Sequence, residues 1–146
     1  MAATFHAFIR PMRLARSGTL VGVASVAAIR GLPGHGGYCG SKAAVVAYCE
    51  SLRVELRADG VRVVTLVPGF VDTPLTCGNR YPMPFLIAPG DFADRALPLI
   101  ARGARFAVVP WPMAWVVVGL RLLPRALYDR LIAGRGRKQR REDTPN

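Results

Sequence analysis

The sequence has little lysine and little negative charge. Only two of its 20 basic residues are lysines, Lys42 and Lys138, and only nine residues are acidic, which leaves a net charge of +11. Such a charge would favour nucleic-acid binding, because lysine and arginine neutralise phosphates. Here, however, the arginines are scattered singly along the chain and form one basic run, at residues 135–141. Runs of this kind are usually solvated, so we expect a basic disordered tail over 134–146 and no specific nucleic-acid partner.

The sequence also lacks paired cysteines. Its three cysteines, Cys39, Cys49 and Cys77, form no Cys-x-x-Cys pair and have no histidine at metal-ligand spacing. This arrangement argues against a zinc motif and against a disulfide framework. We therefore expect no bound metal, and a cytoplasmic location in which the thiols stay reduced.

No apolar run is long enough to cross a bilayer. The longest, FAVVPWPMAWVVVGL, has fifteen residues and contains Pro110 and Pro112, whereas a spanning helix needs about 20 residues. We expect this run to pack on a sheet or to cover an apolar substrate pocket. The alternative is an interfacial helix that lies on a membrane surface, helped by Arg121, Arg125 and Arg130.

The chain does contain enough apolar material for one domain. Hydrophobic residues make up 51% of its 146 residues, and domains with their own core usually contain about 100–150 residues. The apolar pattern predicts, in order, helix 2–12, strand 19–24, helix 38–58, strand 61–67, helix 91–102, strand 106–110 and a helical stretch 113–133 broken at Pro124. A strand, a long helix and a second strand form a right-handed crossover between parallel strands. The sequence therefore predicts an α/β fold with a parallel sheet and helices on both faces.

Three residues around the first crossover indicate a chemical site. Ser25 follows the first predicted strand, and Tyr38 and Lys42 lie four residues apart at the start of the next helix. Positions i and i+4 share one helix face, so we expect the Lys42 ammonium beside the Tyr38 phenol, where a cation favours the phenolate and prepares tyrosine for proton transfer. Ser25 can offer its hydroxyl to the oxygen that Tyr38 protonates. This division of roles between Ser25 and Tyr38 suits carbonyl reduction or alcohol oxidation, because in both reactions charge develops on one oxygen while a hydride moves.

The Tyr-x-x-x-Lys spacing is a weak motif by itself, and its context carries more weight. Residues 23–75 read VASVAAIRGLPGHGGYCGSKAAVVAYCESLRVELRADGVRVVTLVPGFVDTPL. This text combines a serine after a strand, a Gly-Leu-Pro-Gly loop, the tyrosine and lysine, a Ser-Leu-Arg-Val-Glu-Leu helix, and Pro-Gly-Phe-Val-Asp-Thr after the next strand. In this combination the chain resembles the short-chain dehydrogenase/reductase family, closely over residues 5–76 and loosely beyond them.

The resemblance implies an oxidoreductase that uses NAD or NADP. Tyr38 would be the catalytic acid and base, Ser25 would orient the substrate carbonyl, and Lys42, with Tyr38 beside it, would also hold the nicotinamide ribose. The resemblance places four further residues along the nicotinamide amide: Pro68, Gly69, Val71 and Thr73. The substrate would be a small, apolar carbonyl compound or secondary alcohol. The residues that distinguish NAD from NADP in this family are not in the sequence, so both cofactors stay open.

Other features of the family are absent from the sequence. It has no glycine-rich turn of the kind that cradles the cofactor pyrophosphate after a first strand, and no Asn-Ala-Gly segment. The asparagine that resembling enzymes place on the helix before Ser25 would fall just before Met1. We therefore predict a partial catalytic domain over residues 1–133, the C-terminal part of a doubly wound, Rossmann-type parallel sheet whose first half is missing. We expect an in-frame extension upstream and no activity from this chain alone.

Two functions without catalysis are alternatives to this interpretation. Helix 38–58 would pair with its copy in a second chain, as at the dimer interface of resembling enzymes, and make the chain a dimerisation module; we expect a homo-oligomer through this helix in the enzyme as well. A peripheral-membrane fragment that uses residues 106–133 is the second alternative. The presence of Ser25, Tyr38 and Lys42 together favours descent from an enzyme.

Overall fold

The computed structural model describes residues 1–77 and 82–133, and the predicted tail at 134–146 lies outside them. Helices and strands alternate along the chain. The elements are α1 (Ala2–Ala15), β1 (Gly18–Val23), α2 (Gly36–Glu55), β2 (Val61–Pro68), α3 (Pro89–Ala101), β3 (Phe106–Val109), α4 (Met113–Leu122) and α5 (Arg125–Ile132), with short 3-10 turns at Val26–Ala28 and Arg57–Asp59. This order confirms the α/β pattern predicted from the sequence.

β2 is the middle strand of the sheet that the described residues form. β1 pairs with one edge of β2 and β3 with the other, and both pairings are parallel. Gly18 lies opposite Val61 and Val23 opposite Leu66, so the carboxyl ends of β1 and β2 meet at the same edge of the sheet. The Val-Arg-Val-Val-Thr-Leu-Val run of β2 is rich in β-branched residues and is buried along nearly its whole length. This pattern is typical of a parallel strand that is covered on both faces.

The two faces of β2 contribute to two hydrophobic clusters. Successive residues of a strand point to opposite faces, so Val63 and Val64 enter different layers. Val63 packs against residues of α1, α2 and β1 in a cluster that contains Phe5, Leu20, Cys49, Leu52, Leu56 and Val61. Val64 joins Leu66, Ala96 and Ala107 in a cluster that includes α3. Helices therefore cover both faces of a parallel sheet, which confirms the doubly wound arrangement.

Most predicted boundaries agree with the structure to within a few residues. The clearest error is α1, which we expected to end at residue 12, just after Pro11, and which continues to Ala15. A proline inside a helix removes one backbone hydrogen bond, but Ile9 and Met12 on either side of it pack against the core. Tertiary packing therefore keeps α1 helical through the proline. α3 likewise contains Pro98 without a break.

α2 packs so closely on β1 that one strand position has no room for a side chain. A Cβ atom at Gly22 would overlap the Cys49 sulfur. Cys49 is fully buried, and burial raises the pKa of its thiol, while the neighbouring Thr65 hydroxyl and the charge of Arg53 act in the opposite direction. The thiol is therefore a neutral part of the core beneath α2.

We predict that Gly22→Ala destabilises the fold, because the added methyl group must displace the Cys49 sulfur. Overpacking of this kind typically costs about 1–3 kcal/mol. Cys49→Ala opens space at the same point, so the double variant should be more stable than the two single changes imply. Gly40→Ala is the control, since open space surrounds that helical position. Urea denaturation followed by circular dichroism measures the free energies of unfolding, and additive effects at Gly22 and Cys49 would contradict the predicted contact.

The C-terminal helices are tied to the loop that leads into α2. Arg30 donates from Nε to the Leu120 carbonyl at 2.8 Å and from a terminal nitrogen to the Leu123 carbonyl. These carbonyls lie at the end of α4, where no further helical turn satisfies them. The Arg30 guanidinium also lies 5.6 Å from the centroid of the Tyr128 ring in α5, and the Tyr128 hydroxyl donates to the Gly31 carbonyl at 2.6 Å. We call this set of contacts the Arg30–Tyr128 clamp.

We predict that the clamp holds the loop over residues 29–37 in place. Tyr128→Phe removes one hydrogen bond, typically worth about 1 kcal/mol, and should raise amide hydrogen exchange in this loop. Arg30→Lys keeps the charge but loses the planar fork that serves two carbonyls, so it should have a larger effect. Tyr48→Phe is the matched control, because Tyr48 is half-buried on α2 and stacks on Phe5. Hydrogen exchange followed by mass spectrometry makes the comparison, and equal protection of the loop in all variants would contradict the prediction.

Candidate active site

Ser25 lies immediately beyond the carboxyl end of β1. The strand continues its pairing through Ala24, whose amide donates to the Leu66 carbonyl at 2.8 Å. Ser25 then begins the 3-10 turn with an extended backbone, and its Oγ accepts a hydrogen bond from the Ala27 amide at 3.2 Å. The residue is only 8% exposed. Because a hydroxyl is both donor and acceptor, this turn fixes the Ser25 oxygen and leaves its proton able to bind a substrate oxygen.

Tyr38 and Lys42 lie in the first turns of α2, one above the other. The Lys42 Nζ is 5.8 Å from the centroid of the Tyr38 ring, a distance at which a cation is attracted to the face of an aromatic ring. The same Nζ donates a hydrogen bond to the Val23 carbonyl at 3.1 Å. Tyr38 is 39% exposed, so its side chain is open to an incoming molecule. The lysine therefore joins the tyrosine to the last residue of β1, two positions before Ser25.

Pro68 and Gly69 end the middle strand at the same edge of the sheet. Pro68 is the last residue of β2, and the Gly69 amide donates to the Val109 carbonyl at 2.8 Å. A Cβ atom at Gly69 would lie 2.9 Å from Cγ of Met113 in α4. The glycine is therefore required for the close approach of α4 to the end of β2.

Val71 and Thr73 lie further along, in a loop that is closed by its own hydrogen bonds. Val71 forms a bridge with Ile87, and its carbonyl accepts from the Thr76 hydroxyl at 2.8 Å. The Thr73 amide donates to the same Thr76 oxygen at 2.9 Å, and the two threonine hydroxyls are 3.4 Å apart. The structure thus places Thr73 against Thr76, a residue that the sequence did not single out. The expected contact of Thr73 with the nicotinamide stays a prediction.

Polar groups of the candidate site lie at the edge of the sheet where β1 and β2 both end. Ligands of open α/β sheets bind outside the carboxyl ends of the strands, and Ser25, Lys42 and Pro68 reach that edge. A serine hydroxyl and a tyrosine hydroxyl can bind a substrate oxygen, and the lysine ammonium can bind a ribose hydroxyl. In residues 1–77 and 82–133, no group of three or more histidine, cysteine, aspartate or glutamate side chains could hold a metal ion.

Sequence reasoning missed two contacts that shape the approach to Tyr38. The Leu32 amide donates to the Cys39 sulfur at 3.4 Å, and the Arg30–Tyr128 clamp holds the beginning of the same loop. Arg30 and Leu120 are 90 positions apart, so no periodicity or local motif could reveal their contact. The loop before the tyrosine is therefore attached both to α2 and to the C-terminal helices.

Comparison with known proteins agrees with this architecture. The sequence model for the short chain dehydrogenase family matches residues 1–81. An uncharacterised oxidoreductase of Myxococcus xanthus is 43% identical over 128 residues, which cover 88% of this chain and 51% of the relative. A 3-oxoacyl-[acyl-carrier-protein] reductase of Chlamydia muridarum is 40% identical over 72 residues, covering 49% of this chain and 29% of the relative. The chain thus spans about half the length, or less, of these relatives.

Solved structures show the same relationship. A short chain dehydrogenase from Burkholderia cenocepacia, in complex with NADP, superposes with a TM-score of 0.74 at 28% sequence identity. The superposition covers 87% of this chain and 52% of that one. Because the family model matches more than half of its residues, the chain belongs to the short chain dehydrogenase family.

Proposed function

We propose that this chain provides the catalytic half of an NAD(P)-dependent oxidoreductase that reduces a carbonyl or oxidises a secondary alcohol. One observation carries the proposal: the Lys42 ammonium lies over the Tyr38 ring and is hydrogen-bonded to the Val23 carbonyl, beside Ser25. An acid, a cation and a hydrogen-bond donor at one sheet edge are the groups that such a reaction requires. The names of the Myxococcus and Chlamydia relatives and the NADP bound to the Burkholderia protein support it.

Each of the three residues has a separate task in this proposal. Ser25 donates its hydroxyl to the substrate oxygen and orients the carbonyl, while Tyr38 gives that oxygen a proton from its own hydroxyl. The positive charge of Lys42, above the Tyr38 ring, compensates the negative charge that the tyrosine acquires when it gives up this proton. The nicotinamide, when bound, supplies or accepts the hydride. In alcohol oxidation the proton returns from the substrate to Tyr38.

The residues that are present fit one end of the cofactor. Lys42 is held at the end of β1 with its ammonium directed to the sheet edge, where it would bind the nicotinamide ribose together with Tyr38. Pro68 and Gly69 form the neighbouring strand end, and Val71 and Thr73 follow it. The sequence has no glycine-rich turn for the pyrophosphate and no residue that reads the adenosine ribose. We therefore propose a nicotinamide subsite in this chain and leave NAD and NADP as equal candidates.

The same proposal extends to partners and location. The substrate would be small and apolar, because apolar side chains such as Leu75, Phe85 and Leu86 are exposed in the segment that follows β2. A homo-oligomer would form through α2, whose Val54 is exposed near its C-terminal end.

The free thiols Cys39, Cys49 and Cys77 suit a reducing cytoplasm.

We predict that Tyr38→Phe removes most hydride transfer from a protein of full family length. The test protein is a chimera in which the part of the Myxococcus relative that precedes the matched region is joined to this chain. Proton transfer by a positioned side chain typically contributes about 10²–10⁴-fold to the rate, and phenylalanine keeps the ring without the proton. Tyr48→Phe, the same substitution ten residues later on α2, is the matched control. Steady-state oxidation of NADPH or NADH with an apolar ketone measures the rates, and turnover by Tyr38→Phe within a few-fold of the unmodified chimera would reassign the proton donor.

We predict that the chain of 146 residues, made alone, does not bind NADPH or NADH at micromolar concentrations and does not reduce carbonyls. Micromolar affinity requires about 8 kcal/mol after the cost of association, and contacts to the nicotinamide end alone do not supply it. Fluorescence titration of NADPH with the purified chain measures the affinity, and the chimera is the positive control. A micromolar dissociation constant for the chain alone would show that it contains a more complete cofactor site than the one proposed.

A further inference from the structure

The outward side of α4 is an apolar stripe. Trp115, Val118 and Leu122 recur at helical spacing on the side away from the sheet, and Trp111 precedes them by one turn. Trp111, Trp115 and Leu122 are 71%, 72% and 77% exposed. Large apolar side chains are common singly on protein surfaces, but a contiguous row of them marks a contact with another surface.

The inward side of α4 is apolar as well. Met113 and Val117 are buried, and Met113 packs at the end of β2 against Gly69. α4 is therefore hydrophobic around most of its circumference, and a helix of this kind is normally covered on all sides. The expectation that the segment packs on the sheet holds for one side only. The other side requires a partner.

The charge around this stripe indicates which partner. Four residues of α4 and α5 are charged: Arg121, Arg125 and Arg130 are basic, and Asp129 is acidic. Arg125 and Arg130 of α5 are exposed, and so are Leu127 and Leu131 of the same helix. The Arg121 guanidinium lies 5.0 Å from the centroid of the Phe106 ring. Apolar and positively charged side chains are therefore interleaved at this end of the molecule.

We propose that α4 and α5 form a docking surface for a lipid bilayer that carries negative charge. Tryptophan and leucine enter the boundary between headgroups and acyl chains, while arginine binds anionic headgroups. Docking occurs in the plane of the membrane, and none of the helices in residues 1–77 and 82–133 is long and apolar enough to cross it. A second copy of the chain fits less well, because both surfaces carry a net positive charge and would repel each other. The inference is independent of the proposed reaction.

The chain contains its own probe for this contact. Its two tryptophans, Trp111 and Trp115, both belong to the proposed surface, so intrinsic tryptophan emission reports on this surface alone. The experiment adds vesicles of phosphatidylcholine, or of phosphatidylcholine mixed with phosphatidylserine, to the full chain. We expect a shift of the emission to shorter wavelength and flotation with the mixed vesicles but not with the neutral ones. Lipids brominated in their acyl chains should quench the emission of the bound protein.

Matched variants separate insertion from simple attraction of a basic protein. Leu122→Ser should lower the partition coefficient about tenfold, the effect of no longer burying one leucine, whereas Leu14→Ser at an equally exposed position of α1 should not change it. Arg125→Glu should lower the partition coefficient about tenfold. Arg10→Glu changes the net charge by the same amount but lies on α1, so it should lower the partition coefficient less. Circular dichroism confirms that each variant is folded.

Three results would overturn the proposal. The first is absence of flotation with the mixed vesicles. The second is binding in which Leu122→Ser and Leu14→Ser behave alike and brominated lipids do not quench the tryptophans, which would mean surface adsorption by charge alone. The third is a dimer on size-exclusion chromatography that does not bind vesicles and whose tryptophan emission is already at short wavelength without lipid. A second copy would then cover the stripe.

Discussion

The burial of β2 between two layers of helices is the constraint on which the rest of the structure depends. Val64 and Val67 of this strand have no exposed surface, and buried backbone groups must be hydrogen-bonded. β2 therefore needs a strand along each edge, and β1 and β3 fill these positions. Parallel pairing brings the carboxyl ends of the strands together, so Ser25 and Pro68 reach one edge. The site is thus positioned by a strand whose core residues take no part in chemistry.

Periodicity and local chemistry predicted most of the fold. β2 could be recognised because six of the seven positions from 61 to 67 are apolar or β-branched, a pattern typical of a doubly covered strand, and the end of β1 followed from the serine that closes its apolar run. Ser25, Tyr38 and Lys42 could be selected because their spacing relates a strand end to one helix face. The extension of α1 through Pro11 could not be predicted, since it depends on how Ile9 and Met12 pack against the core.

Contacts between distant parts of the chain were beyond the reach of the sequence. The Arg30–Tyr128 clamp joins residues about a hundred positions apart, and nothing local marks Arg30 as different from the other arginines. The sequence left two interpretations of the apolar run in α4 open, packing on the sheet or lying on a membrane surface. The structure shows that Met113 is buried against the sheet while Trp115 is exposed, a distinction that the uniform apolar composition of the run does not make. α4 thereby joins the strand end at Gly69 to the outer surface of the molecule.

The hydrogen bond from Lys42 to the Val23 carbonyl affects how freely this sequence can drift during evolution. Every amino acid carries the same backbone carbonyl, so a substitution at position 23 leaves the acceptor in place as long as β1 keeps its register with β2. A slip of one residue would instead move the acceptor and turn every side chain of β1 to the opposite face. The hydrogen bond from Lys42 to this carbonyl should therefore persist after point substitutions at position 23. A single-residue insertion or deletion in β1 should break it. Within this family we expect natural variation at this position to be wide in side-chain type and narrow in strand length.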